Sequence, residues 1–123
     1  WNGWWGPEPP YRCDTYVLTH HARESVEMQG GTTFHFVTDG IESAMEQARA
    51  SAGDRDISIA GGASTAQQYL RAGMIDQISL QVIPILMGSG ERLFDNLGDY
   101  TPKLEIARVL EAPAATHLRY IVR

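Results

Sequence analysis

Residues 59–95 read IAGGASTAQQYLRAGMIDQISLQVIPILMGSGERLFD, and the whole reading turns on the passage through Gly61 and Gly62. Upstream, DISIAGG (56–62) is short and apolar enough for a strand buried on both faces. Downstream, Ser64 and Gln67 stand at capping-box spacing, Ala66, Tyr69 and Leu70 supply a short apolar face, and Gly73 offers a left-handed stop. The pattern predicts strand, glycine pair, helix. Such a junction leaves several backbone N–H groups unpaired at the helix start. The helix dipole favours negative charge there, and two residues without Cβ let an anionic group come close. The amides of Ala63, Ser64, Thr65 and Ala66 are the expected donors, with the Ser64 and Thr65 hydroxyls beside them. A tight turn with no ligand explains the same glycine pair, so the pair alone does not decide.

Working outward, IDQISLQVIPILMG (75–88) sets Ile78, Leu80 and Val82 against Gln77, Ser79 and Gln81 until Pro84 breaks the ladder. KLEIARVLEA (103–112) and ATHLRYIVR (115–123) read as two more strands, and their connection at Pro113 is too short for a crossover, so they pair antiparallel. Toward the N-terminus, TYVLTH (15–20) and TTFHFVT (32–38) read as strands separated by a loop that ends at Gly30 and Gly31. Ile41, Ala44, Met45 and Ala48 then form one apolar stripe, with Asp39 and Glu42 at capping-box spacing and Gly53 as the stop. The opening WNGWWGPEPPYRCD (1–14) is irregular. Its Trp1, Trp4, Trp5 and Tyr11 either cover an apolar edge, the simpler role, or stack on a flat heterocycle. The whole is an α/β chain, one domain over 1–123, whose sheet ends in antiparallel strands.

Composition narrows the function. At 43% hydrophobic and 20% charged residues, the 123-residue chain is that of a packed globule rather than a disordered tail. A net charge of −5 with scattered basic residues gives little support to a nucleic-acid partner, and no apolar run is long enough for a membrane span. The lone Cys13 has no intrachain partner, and no Cys/His spacing suggests a metal site, which makes the cytoplasm the expected compartment. Small molecules are the expected partners.

The string 59–95 resembles the dihydrofolate-reductase-like family that includes the C-terminal reductase domain of the bifunctional riboflavin-biosynthesis deaminase/reductase. Its members have a strand ending in G-G that opens a short helix. An I-D-x-I/L start to the next strand follows, and then P-x-L-x-G-x-G-x-x-L-F, all present here in order. The resemblance runs from TYVLTH to the last strand. It implies a three-layer α/β fold with a mixed sheet, and an NADPH-dependent reductase of a pteridine-like or pyrimidine-like heterocycle. It implies a cofactor diphosphate against Ala60, Gly61, Gly62 and the start of the following helix, with the Gly61–Gly62 peptide bond cis. It further implies the adenosine end near VLTHHAR, where Thr19, His20, His21 and Arg23 can hold a 2′-phosphate, and near Thr38. Asp39, beside it, is explained as a helix cap. On the substrate side it points to Gln81 and to Gly88, Ser89 and Gly90, although a plain turn accounts for G-S-G and a half-solvated face accounts for Gln81.

Two departures qualify what is expected. Ala60 stands where the riboflavin reductases commonly carry an acidic residue, which puts the riboflavin precursor in question as substrate. Nothing before Trp1 corresponds to the family's first strand and helix, which line the nicotinamide and substrate pocket. A chain without them is expected to be inactive alone and to sit in a homodimer, another oligomer or a longer protein. No residue stands out as a general acid, so the catalytic set stays open. The competing readings are a non-catalytic nucleotide-binding or dimerisation module, and a reductase using another dinucleotide or a deazaflavin.

Overall fold

The structure, a computed structural model, describes residues 5–123, so the expectations for Trp1 and Trp4 lie outside the described residues. The chain divides into two compact units, Trp1–Ala60 and Gly61–Arg123. Their strands form two separate three-stranded sheets.

In the first unit, β1 (Asp14–Leu18) and β3 (Thr33–Val37) pair in parallel, and the two-residue β2 (Val26–Glu27) runs antiparallel along the other side of β3. A 3-10 turn at Gln29–Gly31 carries Gly30 at φ 81°, a backbone angle that explains the glycine there. Helix α1 (Ile41–Ala52) packs on β1, with Ala44 and Met45 buried and Ile41 and Ala48 half-buried, so the predicted stripe is its least exposed face. Its start differs from expectation. Gly40, at φ 99°, is the N-cap, and no side chain caps the helix, so Asp39 and Glu42 form no capping box. Its stop is as expected, with Gly53 at φ 64° donating its N–H to Arg49 O at 3.0 Å. Pro9 and Tyr11 of the opening segment pack on the sheet. Pro9 is fully buried, and Tyr11 stands edge-on to the buried Phe34 at 6.4 Å and edge-on to Trp5 at 5.7 Å. Thr32, also fully buried, accepts from Arg12 N at 2.9 Å.

The apolar run before the glycine pair is not a strand. Residues 56–60 pair with no strand among the described residues and are mostly exposed. An apolar run becomes β structure only where a ladder partner satisfies its backbone groups, and neither sheet supplies one.

In the second unit, α2 (Ala63–Arg71) opens at Gly62, not at Ser64. It closes on a Schellman motif: Met74 N donates to Tyr69 O and Gly73 N to Leu70 O, both at 3.0 Å, with Gly73 at φ 73°. Tyr69 and Leu70 are buried, and burial pushes the Tyr69 phenol above its ordinary pKa. Strands β4 (Gln77–Val82), β5 (Leu104–Glu111) and β6 (Thr116–Val122) form an antiparallel sheet in the order β4-β6-β5. β4 ends two residues before Pro84, and the turn between β5 and β6 is closed by Ala112 N donating to Ala115 O at 3.0 Å. A bulge between Ile106 and Arg108 shifts the β5 register by one residue.

Candidate functional site

The start of α2 is open. The Gly61–Gly62 peptide bond is cis, both glycines are exposed, and a Cβ built on either would meet nothing within 4 Å. Gly61 has φ 130°, which disfavours any other residue, whereas Gly62 has φ −74°, which any residue adopts. Neither packing nor φ therefore requires the second glycine. One expected donor is spent: Ala66 N donates to Gly62 O at 3.0 Å as the first bond of the helix. The N–H groups without helical acceptors are those of Gly62, Ala63, Ser64 and Thr65, one position earlier than the expected set.

Gln67, expected to cap this helix, does something else. It is only 6% exposed, and its Nε2 donates to Arg92 O at 2.8 Å and Leu93 O at 3.1 Å. Asn96 Nδ2 donates to Gln67 Oε1 at 3.1 Å, and Arg71 Nη1 donates to Asn96 O at 2.9 Å. One buried amide thus ties α2 to the 92–96 segment. This role is invisible in a spacing that reads as a capping box.

The first unit gathers its candidate residues at one edge. Because β1 and β3 are parallel and Leu18 lies opposite Val37, Thr19, His20 and His21 leave β1 beside Thr38 at the carboxyl end of the strands, the edge where α/β sheets take ligands. Thr19 N donates to Val37 O at 3.1 Å, and the Thr19 hydroxyl accepts from His21 N at 3.2 Å, which fixes the turn. The Arg23 guanidinium lies 5.2 Å from the centroid of the Phe36 ring. His20, His21, Arg23 and Thr38 are exposed, and so is Ala60.

Sequence reasoning missed a polar network in the same unit. His35 Nε2 is 3.1 Å from Asp14 Oδ1, His35 Nδ1 is 3.0 Å from Ser25 Oγ, and Ser51 Oγ donates to Asp14 Oδ2 at 2.7 Å. Tyr16 stacks on the His35 ring at 5.0 Å. The Ser51 hydrogen bond first, and then the one with His35, hold the Asp14 carboxyl below its ordinary pKa, with slight burial opposing. Alternation along β1 and β3 was the available signal for Asp14 and His35, whereas Ser51 arrives from α1.

Gln81, expected on the substrate side, lines a depression on the β4-β6-β5 sheet with Ser79, Arg108, Leu110, His117, Leu118 and Arg119. Gly88, Ser89 and Gly90 do not line it. They lie in an exposed irregular stretch with Gly88 at φ 78° and Gly90 at φ 149°, angles that favour glycine.

Parallel strands with a packed helix, an open diglycine helix start and three closing antiparallel strands define an α/β domain of the dihydrofolate-reductase-like type. The comparisons agree. Residues 1–118 match the RibD C-terminal domain, and the chain belongs to that family. It is 30% identical over 115 residues to an uncharacterized protein, YwjB, of Bacillus subtilis (strain 168), covering 94% of this chain and 63% of that one. Its fold matches a crystal structure from Shewanella sp. PV-4 assigned to riboflavin biosynthesis, with TM-score 0.72, 20% identity, 93% of this chain and 63% of the other. It also matches a pyrimidine reductase-like protein from Corynebacterium diphtheriae, with TM-score 0.57, 24% identity, 75% of this chain and 39% of the other. The chain therefore spans less than two-thirds of the length of these relatives. No helix among the described residues is long and apolar enough to cross a membrane.

Proposed function

We propose that this chain is part of an NADPH-dependent reductase of a pteridine-like or pyrimidine-like heterocycle. The observation that carries the reading is the α2 start: in a chain of the RibD C-terminal family, Gly62 is a glycine that neither its φ nor its packing demands, with unpaired amides beside it. A diphosphate accepts from such amides and is favoured by the helix dipole. Ala60, Gly61, Gly62, Ala63, Ser64 and Thr65 would face the diphosphate. Thr19, His20, His21, Arg23 and Thr38 would meet the adenosine end and its 2′-phosphate. When bound, the nicotinamide supplies the hydride, and the protein's part is binding, orientation and exclusion of water. Gln81 and Gly88, Ser89 and Gly90 remain the substrate-side assignments.

The exposed apolar side chains of the second unit support an oligomer or a further segment over this sheet. Val82 is 52%, Ile106 67% and Val109 60% exposed.

The test is a titration of NADPH followed by its fluorescence, in the parent chain and in Gly62→Asp. Aspartate is a favoured N-cap and suits the positive end of the dipole, and its Cβ has room, so the variant folds at least as well. Its carboxylate repels a diphosphate, so the expected outcome is a Kd raised at least about tenfold, roughly 1.4 kcal/mol. Equal binding by both proteins, or no binding by the parent at millimolar NADPH, refutes the cradle. A preference for NADPH over NADH that is lost in Arg23→Ala supports the 2′-phosphate assignment, and absence of preference in both removes it.

A further inference from the structure

The depression on the second sheet has a composition the cofactor reading does not use. Two rows of side chains cross three strands on one face: Ser79 lies opposite Arg119, which lies opposite Arg108, and Gln81 lies opposite His117, which lies opposite Leu110. Arg108 reaches this face only because of the bulge. In a regular ladder it would share a face with Ile106, but the extra residue at Ala107 sets Ile106 against Tyr120 and Arg108 against Arg119. Two arginines thereby occupy directly opposed positions on one face, a pairing of like charges unfavourable in itself.

No carboxylate among the described residues relieves it. Glu105, on the same face, is held by Arg123 through Nε and Nη2, both at 2.9 Å from Oε2. β4 contributes no acid, and Glu111 lies in the row of Thr116 on the opposite face. The side chains of Arg108, Arg119 and His117 have no hydrogen-bond or ion-pair partner among the described residues. With Ser79 and Gln81 as neutral hydrogen-bonding neighbours and Leu110 and Leu118 beside them, they line an open depression of about 180 Å³. That is below the roughly 300 Å³ at which pockets take a whole drug-sized ligand, and suits one compact charged group.

We propose that this face binds the phosphate group of a small molecule, with Arg108 and Arg119 as a paired guanidinium clamp. Forked N–H donors from both sides match the several acceptor oxygens of a phosphate better than the two of a carboxylate. The site is independent of the dinucleotide reading and separate from the α2 amides.

The experiment measures thermal stability of the full chain against inorganic phosphate, with chloride and acetate at matched ionic strength, in the parent, Arg108→Gln, Arg119→Gln and the double variant. A ligand that binds only the folded state raises Tm saturably, so the parent is expected to respond to phosphate and not to the comparators. Each single variant should weaken the apparent phosphate affinity at least tenfold, and the double variant should lose the response. In chloride alone the variants should melt at or above the parent temperature, because an opposed pair of like charges has gone. An equal response to chloride and phosphate overturns the proposal. So does a phosphate response that survives in the double variant, and its loss in Gly62→Asp would then place the phosphate on α2.

Discussion

Replacing Gln67 by leucine tests whether one buried amide positions the 92–96 segment. The side chain is 6% exposed and takes part in three hydrogen bonds, to Arg92 O, Leu93 O and Asn96 Nδ2. At about 0.5–1.5 kcal/mol net for each, their loss comes to roughly 2–4 kcal/mol. The partners are exposed residues, so water replaces part of what is lost, and the expected cost falls to about 1–3 kcal/mol. Leucine is as good a helix former as glutamine and similar in size, so neither propensity nor a cavity contributes. Urea unfolding should show a midpoint lower by around 1 M, given slopes of about 1–3 kcal/mol/M. Hydrogen exchange of the amides of 92–96 should accelerate more than that of β4 or β6. An unfolding free energy unchanged within about 0.5 kcal/mol, with exchange of 92–96 as slow as before, refutes the anchoring role.

Three further outcomes are expected. Asp14 has its folded pKa depressed, so its contribution is complete above the ordinary value of 3.8 and is lost as pH falls through the lower folded value. Ser51→Ala removes the main cause, so the Asp14 carboxyl should titrate nearer 3.8 by NMR, and the stability gap to the parent should close at low pH; an unmoved titration contradicts the network. Gly73→Ala, at φ 73° in the Schellman motif, should cost about 1–2 kcal/mol in denaturant unfolding, and no loss would mean the helix ends otherwise. Leu70→Ala should cost about 2–5 kcal/mol because Leu70 is 4% exposed, whereas Leu86→Ala should stay within about 0.5 because Leu86 is fully exposed; equal costs would contradict the burial pattern.

Much of the fold was legible. The alternation of β4, the close of β5 onto β6, the stripe of α1 and the glycine stops at Gly53 and Gly73 are local features, and each appears where the pattern puts it. Both helix starts were misplaced for a shared reason. A polar residue three positions before Glu or Gln fits a capping box, but here Gly40 and Gly62 occupy the N-caps, and Gln67 is committed to carbonyls 25 and 26 residues away. The short β2 escaped notice because a two-residue strand has no period to detect. The strand expected at 56–62 failed because pairing needs a partner that the run itself does not encode.

The sequence by itself determined the family, the glycine pair at a helix start and the order of most elements, because these rest on residue type and short spacing. Tertiary structure decided which distant residues became neighbours. Arg108 and Arg119 look scattered along the chain, and simple alternation assigns Arg108 to the apolar face with Ile106. Only the antiparallel register, shifted by one bulged residue, sets the two charges side by side. Likewise Ser51 meets Asp14 across 37 positions because α1 folds back onto β1. Contacts of that kind follow from closing the chain on itself, which no local spacing specifies.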